Sequence, residues 1–206
     1  KQETTMTAIP KDSVIRLTDV DMTMQTSLMQ ALKDRASIPH GGKFSPELIS
    51  LEQLSSLLWA ANGFNRDSLR TAPSAINAQD IDIYVCFDFG AYLYDARENI
   101  LTRVTEKDLR AEVAGFQEEW AHCPMFLVMV SDFSRFFRGD EATRLTMATC
   151  DASYVSANIG LYCAAAGLAT RPRMSADWDK LAAALNLKET QHGILNNPVG
   201  FAAKAE

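Results

Sequence analysis

The sequence predicts an α+β domain in which a central, mostly antiparallel sheet is flanked by helices. Residues 81–104 contain three successive strand-like segments separated by short turns, a pattern typical of an antiparallel meander. Helical patterns precede and follow this region and do not alternate with single strands. That order favours an α+β fold over a regular succession of parallel strands and helices.

The chain begins with a polar segment that lacks a clear apolar period, so we expect an N-terminal arm over residues 1–26 and one domain over residues 27–206. Residues 27–35 place three apolar side chains at helical spacing and carry basic residues near their end, which predicts a short helix. The following segment, residues 36–46, is rich in glycine and proline and is predicted to be a loop.

A second helix is predicted to begin directly after Ser50. Ser50 and Gln53 have the spacing of a capping box, in which each side chain bonds to the backbone of the other residue. Apolar residues at helical spacing follow, and Asn62-Gly63 supplies a helix-terminating pair.

The meander consists of β-rich segments at residues 81–87, 91–95 and 100–104. Turn-forming residues lie between each pair of segments, as antiparallel neighbours require. We place this meander at an edge of the sheet.

A further helix is predicted over residues 106–122, where apolar residues recur at helical spacing until Pro124 stops the pattern. Residues 125–130 form a continuous apolar run. Such a run is consistent with a strand that is buried on both faces.

The longest helical pattern covers residues 140–168 and ends at Gly167. It is apolar on several faces, which indicates a central helix of the domain or a subunit interface. Gly160 in its middle is tolerable if another backbone packs against it.

The last elements are a helix that begins at Ser175 or Asp177 and ends at Leu185, and a closing segment at residues 196–201. Asparagine, proline and glycine in the closing segment predict a turn followed by a short strand.

The composition is that of an ordinary globular domain, with 206 residues, 47% hydrophobic and 22% charged. A net charge of -6 argues against an extended nucleic-acid surface, so no nucleic-acid partner is expected. No apolar run approaches the roughly 18 residues that a membrane span requires. We therefore expect no membrane span.

The cysteines and histidines do not have the spacing of a metal site or a disulfide framework. The three histidines are scattered, and no two cysteines form a CxxC pair. All four cysteines lie in apolar segments and are interpreted as small core residues: Cys86, Cys123, Cys150 and Cys163.

The sequence begins at Lys1, and its first segment is polar. We expect a bacterial protein that is exported to the periplasm after removal of a signal peptide. A cytoplasmic location is the alternative, favoured by cysteines that look unpaired.

The loop at residues 70–79 (RTAPSAINAQ) is the best candidate for ligand binding. Proline followed by small residues favours an extended loop whose backbone N–H groups stay free. Ser74, Asn77 and Gln79 add side chains that both donate and accept hydrogen bonds. Such a loop suits a flat ring with polar edges, whereas the alternative is a polar turn between a helix and a strand.

Four segments of the chain occur in an order that points to one family: residues 34–37 (DRAS), 72–79 (APSAINAQ), 151–169 (DASYVSANIGLYCAAAGLA) and 197–200 (NPVG). Together they resemble the nitroreductase superfamily over roughly residues 27 to 204. The LLWAANG segment at 57–63 and the YLYD segment at 92–95 resemble a branch common in anaerobic gut bacteria.

The resemblance implies an intertwined homodimer of α+β subunits that binds FMN at the subunit interface. It implies a flavin-dependent oxidoreductase that takes electrons from NAD(P)H and reduces a small-molecule acceptor such as a nitroaromatic or a quinone. Because the cofactor carries the hydride chemistry, no catalytic side chain is expected.

The resemblance also implies a phosphate site and a ring site. Arg35 is the expected partner of the FMN phosphate, with Ser37 beside it, because a guanidinium donates to phosphate in a fork; the alternative is a surface arginine at a helix end. The resemblance further implies that the backbone of Pro73, Ser74 and Ala75, together with Asn77, contacts the flavin of the partner subunit. The alternative is that Ser74 and Asn77 cap the turn before the strand.

Three further regions match family positions near the cofactor. Gln117 is implied to reach the ribityl chain or the ring edge, or else to be a solvated helix residue. Lys204 is implied to meet the phosphate, unless the terminus is frayed. The loop past the N5 side of the flavin is implied to contain Pro172, Met174 and Ser175, of which Ser175 is also a candidate helix cap.

The chain departs from the family pattern at Ala36, where a basic residue is usual, and at Ser153 and Ala157, where the family has Gly and Gln. These departures motivate an alternative function, a flavin-binding or dimeric interaction protein that has lost turnover. Asp151 and Asn158 of the same motif are interpreted as dimer packing. Candidate pocket walls, most of which we expect in the core, are Phe44, Phe64, Tyr92, Phe133, Phe136 and Phe137.

Overall fold

The alternating segment at residues 81–87 becomes the middle of a seven-stranded sheet in the computed structural model, which describes residues 7–204. Every described strand pair is antiparallel. The strands in chain order are β1 (Val14–Arg16), β2 (Phe64–Arg66), β3 (Leu69–Arg70), β4 (Ile81–Phe87), β5 (Gly90–Asp95), β6 (Ile100–Thr105), β7 (Met125–Asp132), β8 (Ala169–Thr170) and β9 (Gln191–Gly200). Across the sheet their order is β1-β6-β5-β4-β7-β9-β8, and β2 and β3 form a separate hairpin.

The meander β4-β5-β6 is confirmed, but its position at the sheet edge is wrong. Strand β1 from the predicted N-terminal arm pairs with β6 and places Ile15 opposite Leu101. Both side chains are fully buried, so a three-residue strand covers the edge by contributing one core residue. Residues 1–6 of the arm lie outside the described residues.

The helices, in chain order, are α1 (Leu28–Asp34), α2 (Leu51–Asn62), α3 (Arg110–Ala114), α4 (Glu141–Ala166) and α5 (Trp178–Ala184). The capping box of α2 is confirmed, because Ser50 accepts from the Gln53 N–H and Gln53 accepts from the Ser50 N–H. Gly167 ends α4, as predicted, and it does so in the left-handed conformation. Of the two predicted starts of α5, Asp177 is the cap and Ser175 is not.

The helix predicted over residues 106–122 is mostly wrong. Helix α3 stops at Ala114 because Gly115 adopts a φ of 58°, and a Cβ at Gly115 would lie 3.1 Å from the backbone of Ala176. A short 3₁₀ turn at Glu118–Trp120 follows and buries Trp120. Close approach of the segment before α5 therefore overrides the helical pattern.

The turn predicted at residues 196–201 is also wrong, because this segment continues β9 between β7 and β8. Asn196 and Asn197 are fully buried there. Asn197 accepts from Ser156 Oγ at 2.8 Å and donates to Thr170 Oγ1 at 3.1 Å. These tertiary hydrogen bonds make polar side chains acceptable inside a buried strand.

Apolar side chains on the two faces of the sheet form two cores. One core packs α2 and α4 against one face, and the other packs α3 and α5 against the opposite face. The buried run of β7 is confirmed, since all of its residues are buried. Three cysteines are buried as predicted, but Cys150 lies on the exposed side of α4.

No helix in the described part of the chain is both long enough and apolar enough to cross a membrane.

Candidate functional site

A cleft of about 380 Å³ lies beside α4, where the loop after α1 and the segment after β8 meet this helix; we call it the α4 cleft. Helix α4 contributes small side chains to its wall, which leave the cleft open. The lining residues are Arg35, Ala36, Ser37, Ser153, Ser156, Ala157, Gly160, Thr170, Pro172 and Leu195.

Arg35 ends α1 and extends across the α4 cleft. Its N–H caps the helix by donating to the Ala31 carbonyl at 2.9 Å. Its aliphatic stem packs on Gly160, where an added Cβ would lie 3.8 Å from Cγ of Arg35. A side chain, and not the expected backbone, therefore packs at this glycine. The exposed guanidinium lines the cleft and has no hydrogen-bond partner among the described residues, which leaves its donors available to an anion.

The predicted ligand-binding loop connects β3 to β4 and covers residues 71–80, because Arg70 belongs to β3; we call it the 71–80 loop. Within one chain it lies apart from the α4 cleft. Pro73 and Ser74 contact a much smaller cleft beside Asp151, whereas Asn77 faces a separate, larger cleft next to the β2–β3 hairpin. The loop contains a 3₁₀ turn at Ala75–Asn77. The backbone is unusual here, since three non-glycine residues have positive φ: Ile76, Asn77 and Gln79. Each such residue costs of the order of 1 kcal/mol or more, so surrounding contacts must hold the loop.

Hydrogen bonds within the chain supply those contacts. The Ala75 N–H donates to both carboxylate oxygens of Asp151 at 2.9 Å, and the Gln79 N–H donates to Ser74 Oγ at 2.9 Å. The N–H groups of Asn77 and Ala78 donate to carbonyls of the same turn. The expectation that the N–H groups of this loop stay free is therefore wrong for these four residues, because α4 and the turn itself accept them.

Asp151 also forms a pair with Asp80, and both residues are buried. Ser131 donates to Oδ2 of Asp80, whereas Oδ1 of Asp80 has no N–H or O–H donor among the described residues. The two carboxyl groups are within hydrogen-bonding reach of each other. A proton on Asp151 would satisfy Oδ1 of Asp80, so the pair is complete when it holds one proton.

Burial, followed by the hydrogen bond with Asp80, raises the pKa of Asp151 to about 7. The proton is therefore retained through mildly acidic pH. The sequence assigns Asp151 to dimer packing, which stays a prediction, and within the chain Asp151 holds the 71–80 loop.

The segment after β8 is fixed by Arg173, which is 4% exposed. Its guanidinium donates to the carbonyls of Val113 and Ala114 at 3.1 and 2.7 Å, and to Asn196 Oδ1 at 2.7 Å. It also donates to Gln117 Oε1 at 3.0 Å. Burial lowers the pKa of Arg173 to about 10, so the side chain remains a cation at neutral pH.

The remaining predicted residues are distributed around this segment. Pro172 lines the α4 cleft together with Arg35 and Ser37. Met174 is exposed, and the Ser175 carbonyl accepts from Asn196 Nδ2 at 3.0 Å. Lys204 is exposed and follows a short bridge between Phe44 and Ala202. The structure thus brings Arg35, Ser37 and Pro172 together and leaves the others outside this cleft.

A model of the nitroreductase family matches residues 32–201, which is most of the chain. The protein belongs to the nitroreductase family. The predicted α+β fold with a mostly antiparallel sheet is thereby confirmed.

Solved structures agree with the family assignment. A candidate nitroreductase from Ralstonia eutropha JMP134 is 34% identical, with a TM-score of 0.87 over 97% of this chain and 94% of that chain. A candidate NADH oxidase from Clostridium acetobutylicum has the same fold at 20% identity, with a TM-score of 0.60 over 87% and 90% of the two chains. No curated protein sequence matches this chain.

Sequence reasoning missed two features of this nitroreductase-family chain. The Asp80–Asp151 pair joins residues 71 positions apart, so only the fold brings them together. Arg173 lies between Pro172 and Met174, which are both predicted site residues, and this position is the sequence feature that could have identified it. Of the aromatic candidates, Tyr92, Phe133 and Phe136 are core residues, and Phe137 is exposed. Phe44 and Phe64 line clefts other than the α4 cleft.

Replacement of Arg173 is expected to destabilise the nitroreductase-family fold. Arg173→Met leaves the Val113 and Ala114 carbonyls without their donor, so we expect a loss of about 2–4 kcal/mol of unfolding free energy. Chemical denaturation measures it. The control is Arg171→Met, which removes one hydrogen bond to the Ile38 carbonyl and should cost about 1 kcal/mol. Equal losses in the two variants would contradict the role assigned to Arg173.

Proposed function

We propose that the protein is an FMN-dependent oxidoreductase that takes electrons from NAD(P)H and reduces a flat organic acceptor such as a nitroaromatic or a quinone. The observation that carries the proposal is the α4 cleft, in which a chain of the nitroreductase family presents Arg35, Ser37 and Pro172 together. When bound, FMN supplies the hydride and electron chemistry, and the protein supplies binding, orientation and electrostatics.

The residues of the α4 cleft fit FMN in chemistry. Arg35 has uncommitted guanidinium donors for a phosphate, and Ser37 adds a hydroxyl. Ala157 and Gly160 keep the helix side of the cleft open to a flat group. We assign the phosphate contact to Arg35 and Ser37, with Lys204 as a further cation.

The segment from Pro172 to Ser175 is proposed to pass the reactive edge of the ring. Arg173 fixes this segment from inside the domain through its buried hydrogen bonds. Gln117 uses its Oε1 to accept from Arg173, which leaves its side-chain N–H₂ group for the ribityl chain or ring edge. Rigid support of this kind keeps backbone donors in one geometry.

A homodimer is proposed because the 71–80 loop and the α4 cleft are separate within one chain. Pro73, Ser74, Ala75 and Asn77 would complete the site of the partner. Apolar side chains with half or more of their surface exposed lie on α1 and α4, and a second copy would cover them: Leu28, Met29, Leu32 and Leu145.

A dimeric flavin-binding protein without turnover is the second candidate. Ser153 and Ala157, where the chain departs from the family pattern, both line the α4 cleft. Ala36 lies in the same lining and supplies no second cation. Because all three residues line the α4 cleft, these departures from the family pattern would alter how the cleft binds a cofactor or admits a substrate.

Steady-state oxidation of NADH and NADPH by FMN-supplemented protein, with a quinone or a nitroaromatic acceptor, tests the proposal. We expect acceptor-dependent consumption of at least one nicotinamide cofactor. Bound FMN without any acceptor-dependent consumption would support the second candidate and contradict the first.

A further inference from the structure

A second cleft, of about 550 Å³, lies at the end of β4 and β5 next to the β2–β3 hairpin; we call it the arginine cleft. Its size is within the range of small-molecule sites. Asn77 and Gln79 of the 71–80 loop form one wall. Three guanidinium groups converge on it: Arg70, Arg97 and Arg135.

Only one of these guanidinium groups is neutralised by a side-chain carboxylate among the described residues. Arg135 forms a two-point ion pair with Asp82, at 2.9 and 2.7 Å. The carboxylate of Asp95 is the other acid in the lining, and its Oδ1 accepts from the backbone N–H groups of Arg97 and Glu98. The lining therefore holds three guanidinium groups and two carboxylates, which leaves one net positive charge, and neither Arg70 nor Arg97 has an ion-pair partner among the described residues.

Arg70 is half-buried and bonds only to neutral acceptors in the described chain. It donates to the Asn62 carbonyl at 2.8 Å and to Gln79 Oε1 at 3.2 Å. Burial, together with repulsion from Arg135 and Arg97, lowers the pKa of Arg70 despite the attraction of Asp82. A bound anion would relieve the cost of this arrangement.

Phe64 contacts both guanidinium groups that lack an ion-pair partner among the described residues. Arg70 and Arg97 each lie 4.6 Å from the centroid of its ring. Cation–π contacts orient the guanidinium planes without neutralising their charge, so their N–H groups remain able to bind an oxyanion.

We propose that the arginine cleft binds a small organic anion, a carboxylate or phosphate carried on a flat ring. Arg70 and Arg97 would contact the oxyanion. Leu93, Ala78 and Ala96 supply apolar lining for the ring. The proposal goes beyond the flavin-dependent activity and does not rest on it, because no residue of the arginine cleft lines the α4 cleft. Asn77, which is also proposed to complete the partner's flavin site, is not one of the groups assigned to the oxyanion.

Isothermal titration of FMN-supplemented protein with benzoate and with phenyl phosphate tests the proposal. We expect saturable binding of at least one of them, and inorganic phosphate and acetate separate the contribution of the ring from that of the charge. Arg97→Gln is expected to weaken binding about tenfold or more, because it removes a guanidinium group that has no carboxylate partner among residues 7–204.

The matched control is Arg138→Gln, an exposed arginine that stacks on Phe137 outside the cleft, and it should leave the affinity unchanged. Equal affinities of the Arg97→Gln variant and the unaltered protein would overturn the proposal. Loss of binding upon saturation with FMN would also overturn it, because the anion would then occupy the flavin site.

Discussion

Asp151→Leu is expected to lose about 3–5 kcal/mol of unfolding free energy, whereas Asp151→Asn is expected to be more stable than the unaltered protein at pH 8. Leucine leaves two groups without partners, the half-buried Ala75 N–H and the buried Oδ1 of Asp80. Asparagine can accept from Ala75 through Oδ1 and donate to Asp80 through Nδ2. It therefore reproduces the protonated carboxyl without a proton to lose.

The unfolding free energy depends on pH because the pKa of Asp151 is raised in the folded state, where burial and the contact with Asp80 shift it to about 7. In the unfolded chain an aspartate has a pKa of about 3.9. The folded protein therefore binds more protons than the unfolded chain between these values, so stability falls as the pH rises from about 4 to about 7. The Asp151→Asn variant lacks this contribution.

Chemical denaturation at pH 5 and pH 8 measures both effects, and Asp140→Asn serves as a control because Asp140 is an exposed helix cap. The advantage of Asp151→Asn over the unaltered protein should be larger at pH 8 than at pH 5. If this difference is the same at both pH values, the pair does not share a proton.

Arg35→Ala is expected to weaken FMN binding by about 1.5–3 kcal/mol, which is roughly a tenfold to hundredfold increase in Kd. The guanidinium of Arg35 is exposed and its donors are uncommitted, so unfolding free energy should change little. Arg35→Lys should recover only part of the affinity, because an ammonium cannot donate in a fork.

Fluorescence titration with FMN measures the Kd values, and Lys33→Ala is the matched control from the last turn of the same helix. If Arg35→Ala and Lys33→Ala have equal effects, the loss reflects general charge at the helix end. The phosphate would then have to contact another residue.

Local patterns in the sequence predicted the elements that local physics determines. The Ser50–Gln53 capping box, Gly167 at the end of α4 and the strands of the meander are all of this kind. In these cases the residues that specify the structure lie within a few positions of one another.

Errors arose where distant contacts decide the conformation. Asn196 and Asn197 resemble a turn, but Arg173 and Ser156 satisfy them inside a strand. The 71–80 loop resembles one with free N–H groups, but Asp151 lies 76 positions from Ala75 and accepts its N–H. A buried acid that bonds to a loop has no local signature.

The family resemblance implied cofactor contacts for Arg35, Ser37 and Pro172, and the fold places these three residues in one cleft. Their contact with a cofactor stays a prediction. The arginine cleft escaped prediction because Arg70, Arg97 and Arg135 are dispersed in sequence and meet only through β4, β5 and the hairpin.

The visible absorbance spectrum of the purified protein shows whether this chain binds FMN, on which the proposed oxidoreductase activity depends. The spectrum is recorded before and after addition of FMN and removal of unbound cofactor by desalting. We expect the two visible bands of an oxidised flavin to remain with the protein after desalting. A protein that stays colourless after this treatment would contradict the proposed oxidoreductase.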